Sequence, residues 1–167
     1  EIVGSQASEL YRDARAMLDR IVGEKWLTAK AVFGLWPANS VGDDVRVQHP
    51  QGETTLHFLR QQVAKPAERP DFCLADFIAP TDSGRQDWIG AFAVTAGIGI
   101  DAHVARFEAE HDDYNAILLK ALADRFAEAL TERLHQRVRT EFWGYDQAET
   151  LDNDALIDEQ YRGIRPA

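Results

Sequence analysis

Four groups of residues have types and spacings that could do chemistry. Gly97-Ile98-Gly99-Ile100-Asp101-Ala102 fits G-x-G-x-x-A, a loop that cradles a dinucleotide pyrophosphate when a strand precedes it and a helix follows. Glu108-x-x-His111 and Glu132-x-x-His135 have the spacing with which paired helices hold two metal ions. Asp124 and Glu128 stand one helical turn apart. Like charges at that spacing cost an isolated helix roughly 0.2–0.5 kcal/mol, so the pair is either a solvated acidic face or a site for a donor-rich ligand or partner. Last, Tyr161-Arg162-Gly163-Ile164-Arg165-Pro166-Ala167 takes a fixed irregular path from its Gly and Pro, and Arg165 offers a planar fork suited to a carboxylate.

Apolar spacing predicts the elements that must position these groups. A helix is expected from Ser8 to Val22 on Leu10, Ala14, Met17, Leu18, Ile21 and Val22, with Gly23 as its stop. Strand-forming residues follow from Ala31 to Trp36. Val45 and Val47 then alternate with polar residues, His49-Pro50-Gln51-Gly52 reads as a turn, and Leu56 and Phe58 complete a hairpin. Two more strands are expected at 72–79 and 88–95, separated by Pro80-Thr81-Asp82-Ser83-Gly84. Beyond Gly99 the strand signals end. Asp101 can cap a helix running to Ala109, and Asp113 to about Glu141 is one long helical pattern, roughly 43 Å at 1.5 Å per residue. Its stripe of Leu119, Leu122, Ala123, Phe126, Leu130 and Leu134 is expected to pack on a sheet, while Ile117, Ala121, Asp124, Glu128, Thr131 and His135 form the opposite face. Arg133, Arg137 and Arg139 near its end suit the helix dipole. A short helix is expected at 153–161, in a region where Asp146–Glu159 carries six acids and no base. The whole predicts an α+β domain: a mainly antiparallel sheet of hairpins and meander, flanked by helices, with one long C-terminal helix.

These elements weigh the motifs. After Gly99 the chain runs into helices without the second parallel strand a Rossmann unit needs, so the glycines read as a strand-to-helix turn. A di-metal oxidase site needs four facing helices, and the strand-rich first half leaves no helices to supply the bridging glutamates. No catalytic residue and no metal site are assigned. Lys plus Arg is 18 against 28 for Asp plus Glu, a net charge of −10 that repels a phosphate backbone and argues against nucleic acid and anionic lipid. No apolar run approaches the ~20 residues of a membrane span. Cys73 is the single cysteine, which points to a reducing, cytoplasmic setting and reads as a buried thiol.

Several blocks, in order along the whole chain, carry a resemblance. They are Gly34-Leu35-Trp36-Pro37-Ala38-Asn39-Ser40-Val41-Gly42-Asp43-Asp44, Leu59-Arg60-Gln61-Gln62, Cys73-Leu74-Ala75-Asp76-Phe77 and Ile89-Gly90-Ala91-Phe92-Ala93-Val94-Thr95. His111-Asp112-Asp113-Tyr114-Asn115, Ala121-Leu122-Ala123-Asp124-Arg125, Trp143-Gly144-Tyr145 and Gly163-Ile164-Arg165-Pro166-Ala167 continue the series. The chain resembles the activation domain, the S-adenosylmethionine-binding domain, of cobalamin-dependent methionine synthase.

That resemblance implies a repair role within a methyltransferase. The domain binds S-adenosylmethionine and presents its methyl group to cob(II)alamin during one-electron reductive remethylation; the alternative is a stand-alone S-adenosylmethionine-binding or docking module without chemistry of its own. It implies that Arg165 holds the ligand carboxylate, that the backbone at Ala167 contacts the adenosine, and that Glu128 takes part in binding the same ligand. Asp124 is implied to face a docked cobalamin-binding domain, which holds the cobalamin and is expected on the same polypeptide. Flavodoxin or a flavoprotein reductase is the implied electron donor, and zinc belongs to the family's homocysteine domain rather than to this region. Residues 1–167 are expected to form a single domain, most of such an activation domain, truncated at both ends.

Overall fold

A computed structural model describes residues 2–66 and 68–163. The element order is α1 (Ile2–Glu24), β1 (Thr28–Val41), β2 (Asp44–His49), β3 (Gly52–His57), β4 (Asp87–Ile98), α2 (Ile100–Ala109), α3 (Asp113–Arg137) and α4 (Asn153–Ile157). Short 3-10 turns lie at Leu74–Phe77 and Thr81–Ser83, and a π-helical turn at Val138–Phe142 continues α3. The α+β class with a four-stranded sheet is as expected. The chain forms two compact units, one of residues 1–31 and 94–167, the other of residues 32–93.

The second unit carries the sheet, in the order β3-β2-β1-β4. β1 pairs antiparallel with β2 and β2 with β3, with His49 opposite Gly52 across the Pro50-Gln51 turn. The hairpin therefore sits where alternation and turn residues put it. One inward face closes a core of Ala38, Val45, Val47, Cys73 and Ala75, and Cys73 is a buried free thiol.

The strand expected at 72–79 does not form. Residues 74–77 make a 3-10 turn instead, and the segment is pinned from β1 by one backbone and several side-chain hydrogen bonds. Ser40 N–H donates to the Ala79 carbonyl at 3.0 Å, Ser40 Oγ to the Ile78 carbonyl at 2.8 Å, and Asn39 Nδ2 to the carbonyls of Ala79 and Arg85 at 3.0 and 2.7 Å. Backbone groups satisfied by polar side chains need no ladder partner, which releases apolar residues from strand geometry. The Arg60 guanidinium draws the same region together, donating to Asp43 at 2.6 Å, to Asp76 at 2.7 and 2.8 Å, and to the Asp71 carbonyl at 2.6 Å. Asp76 also accepts the Cys73 N–H at 2.9 Å. Three of the recognisable sequence blocks thus converge on one cation.

In the first unit, Met17 and Ile21 of α1, Val104 and Phe107 of α2, and Ala116, Leu118 and Leu119 of α3 pack around Trp26. The leucine stripe was expected to cover a sheet; its Leu119, Leu122 and Phe126 instead join the core formed with helices α1 and α2. α1 is longer than the apolar spacing predicts, and Leu10 stays half exposed. α2 is entered through Gly99 rather than capped by Asp101, which falls in the first turn. Gly99 has φ +99°, and a Cβ there would stand 2.9 Å from the Trp26 carbonyl oxygen, so only glycine fits. No second strand follows α2 among the described residues, which agrees with reading Gly97 and Gly99 as a turn. Asp112 caps α3 by accepting the Asn115 N–H at 3.0 Å and its side-chain amide at 2.7 Å, and Tyr114 Oη donates to Asp13 of α1 at 3.1 Å. That is the structural use of the His111–Asn115 block.

Candidate functional site

The long helix keeps its register for 25 residues and then widens. From Val138 the hydrogen bonds lengthen to i→i+5, as Trp143 N–H reaches the Val138 carbonyl at 2.9 Å. This turn changes the fate of Arg139. Expected to complement the helix dipole, its side chain is 1% exposed and forms a two-pronged ion pair with that of Glu149, also 1% exposed, at 2.6 and 2.7 Å. Its remaining nitrogen lies 2.7 Å from His135 Nδ1, and the guanidinium sits 4.2 Å over the Tyr161 ring. One buried cation therefore ties α3 to the acidic 146–159 stretch and to the chain's closing segment. Sequence spacing did not reveal it, because its partner stands ten residues on in an irregular stretch.

Beside this cluster lies a cavity of about 610 Å³. One wall is the α3 face bearing Glu128, Thr131, Glu132 and His135; the other is Leu156, Ile157, Glu159 and Tyr161. Its volume falls within the usual range for small-molecule sites. α4 ends at Ile157, shorter than the 153–161 helix expected, and the residues after it form the irregular wall. Asp152 caps α4 by accepting the Ala155 N–H at 2.9 Å. Gly163, two residues after Tyr161, has φ +124°, and a Cβ there would press to 2.8 Å on the Tyr145 hydroxyl.

Charge in the cavity is uneven. Glu128, Glu132 and Glu159 line the cavity with Arg133, and the Arg139–Glu149 pair lies at its side. Burial and the adjacent Arg139 cation hold the His135 imidazole below its ordinary pKa, so it is neutral near pH 7. The hydrogen bonds from Arg139 hold Glu149 below the usual carboxylate range. The paired carboxylates of the outer face part company here. Glu128 lines the cavity, whereas the Asp124 side chain is 73% exposed and outside it. Arg125 bridges the two, at 2.9 Å from Asp124 and 2.7 Å from Glu128, in an exposed contact that holds little stability. Arg165 and Ala167 lie outside the described residues.

The two E-x-x-H pairs do not converge. Glu108 pairs with Lys120 at 3.6 Å, and His111 occupies the α2–α3 turn at φ +57°. His135 is engaged by Arg139, and no group of three metal-ligating side chains comes together among the described residues. No described helix is long and apolar enough to cross a membrane.

Residues 1–167 match the family model described as vitamin B12 dependent methionine synthase, activation domain. The chain belongs to that family. A solved structure titled as the MetH reactivation domain bound to AdoHcy is 51% identical, with a TM-score of 0.90, over 100% of this chain and 52% of that one. The chain thus spans about half the length of the solved relative. The Asp43–Arg60–Asp76 and Asp112–Asn115 contacts hold the fold, while Glu128, Glu132 and His135 line the cavity.

Proposed function

We propose that this chain binds S-adenosylmethionine in the α3 cavity and presents its methyl group to a cobalamin held by a neighbouring domain. The observation that carries the reading is the acidic cavity that opens on Glu128. A ligand bearing a sulfonium and an ammonium against one carboxylate has a net positive charge, and an acidic lining in a half-enclosed site favours it. Glu128 supplies a carboxylate to that ligand. Arg165, four residues past Tyr161 of the cavity wall, takes the ligand carboxylate in a charge-assisted fork, and the Ala167 backbone meets the adenosine. Asp124, turned outward one turn earlier, faces the docked cobalamin domain.

Cobalamin, when present, supplies the nucleophilic metal that accepts the methyl group after a one-electron reduction from flavodoxin or a flavoprotein reductase, releasing S-adenosylhomocysteine. The chain's own work is to bind and orient the methyl donor, and no catalytic acid or base is assigned. The AdoHcy bound to the solved relative and the family membership support the same reading.

Calorimetric titration of S-adenosylmethionine into the full-length protein tests it, with Arg165→Ala and Glu128→Gln beside the parent. Saturable binding lost in Arg165→Ala is expected. Glu128→Gln is expected to weaken S-adenosylmethionine more than S-adenosylhomocysteine, which lacks the sulfonium charge. Asp124→Asn should leave binding intact and slow reductive reactivation. Absence of binding in the parent protein overturns the reading.

A further inference from the structure

His135 has one ring nitrogen committed and one available. Arg139 carries only donors, so His135 Nδ1, 2.7 Å from its guanidinium, is the acceptor and the hydrogen sits on Nε2. The tautomer is held firmly, because the guanidinium that sets it is itself fixed on two sides by Glu149 and covered by Tyr161. Tyr161 also meets the imidazole edge-on, with ring centroids 5.4 Å apart, which fixes the ring plane. Nε2 finds no protein partner among the described residues, yet it is not shut away from solvent. His135 lines the cavity, so the open side of the ring is the ligand side.

We propose that His135 is a further ligand-contacting residue of this cavity, donating its Nε2–H to an uncharged acceptor of the bound nucleoside, a ribose oxygen or a purine ring nitrogen. The inference rests on the S-adenosyl reading of the site and deepens it. Glu128 and His135 stand seven residues apart on one helix face, about 10 Å along the axis, so an extended ligand meets the carboxylate at one end and the imidazole donor at the other. Arg139 and Glu149 are positioning residues in this arrangement, acting through the tautomer they impose.

Two substitutions separate the ring's two functions. His135→Asn keeps an acceptor near Nδ1 for Arg139 and removes the distal donor; His135→Gln places an amide N–H near Nε2 and gives up the proximal acceptor. With S-adenosylhomocysteine as probe and the full-length protein, His135→Asn is expected to weaken binding roughly five- to tenfold, the factor one neutral hydrogen bond gives, while His135→Gln stays within about threefold of the parent. Thermal melts report that each variant folds. Nitrogen-15 spectra of the parent are expected to show a protonated Nε2 whose resonance moves when the probe is added. Parent-like binding by His135→Asn, equal weakening by both variants, or a bare Nε2 overturns the proposal while leaving the S-adenosyl reading in place. A parent protein that does not bind the probe overturns both.

Discussion

Replacing Glu149 by Leu is expected to cost the helical unit about 3–5 kcal/mol, the penalty for leaving one member of a buried ion pair uncompensated. The structure sets that scale. Both side chains are 1% exposed, and both prongs of the pair are 2.6–2.7 Å long. His135 and Tyr161 would remain beside it, but a neutral imidazole and a ring face do not balance its charge. At roughly 2–4 °C per kcal/mol for a chain of this length, the melting temperature should fall by about 6–20 °C. Circular-dichroism melts of Glu149→Leu, Arg139→Met and the double variant measure it as a thermodynamic cycle. The double variant should recover most of the loss, because the desolvation cost disappears together with the attraction. A loss in Glu149→Leu below about 1 kcal/mol, the value of an exposed pair, would refute the assignment of this contact as a desolvated link between α3 and the acidic stretch.

Other expectations follow from the same contacts. His135 has a folded-state pKa below the ordinary 6.5, so the folded state binds fewer protons than the unfolded one as pH falls below that value. Stability is therefore fully present above about pH 6.5 and declines as pH falls through the folded-state pKa; chemical-denaturation series should show a shallower decline for His135→Gln. The Arg60 guanidinium and the Cys73 N–H lower Asp76 from 3.8 to about 2, so its contribution is present above pH 3.8 and is lost as pH falls toward 2. Carboxyl titration by NMR should find Asp76 low in the parent and near its ordinary value in Arg60→Met. Gly99→Ala should destabilise the first unit by roughly 1–3 kcal/mol, since its positive φ and the nearby Trp26 carbonyl both oppose a Cβ. Equal midpoints for Gly99→Ala and the parent in urea would contradict that geometry.

The legible parts of the fold are those whose hydrogen bonds close locally. The β2–β3 hairpin needed only alternating Val45, Val47 and Leu56 around a Pro-Gln turn, and α3 needed only its periodicity and the Asp112 cap. The misread parts depend on partners far along the chain. The 72–79 segment has strand-forming residues, yet Asn39 and Ser40, about 40 residues away, take its carbonyls and leave it a 3-10 turn. The apolar stripe of α3 told which face is buried but not against what, because sheets and helices present the same apolar chemistry to it.

The site divides the same way. From the sequence alone came the α+β class, the two carboxylates on one helix, and the family likeness whose signature ends in Arg165-Pro166-Ala167, since these depend on residue identity and short spacing. The tertiary structure put Glu128 at the cavity and Asp124 in solvent, and only it turned Arg139 inward onto Glu149, His135 and Tyr161. Helical periodicity gives a direction about one axis. Which direction is a cavity depends on where the residues after the helix return, and that is decided by long-range packing of a charge that must find its partner once water is excluded.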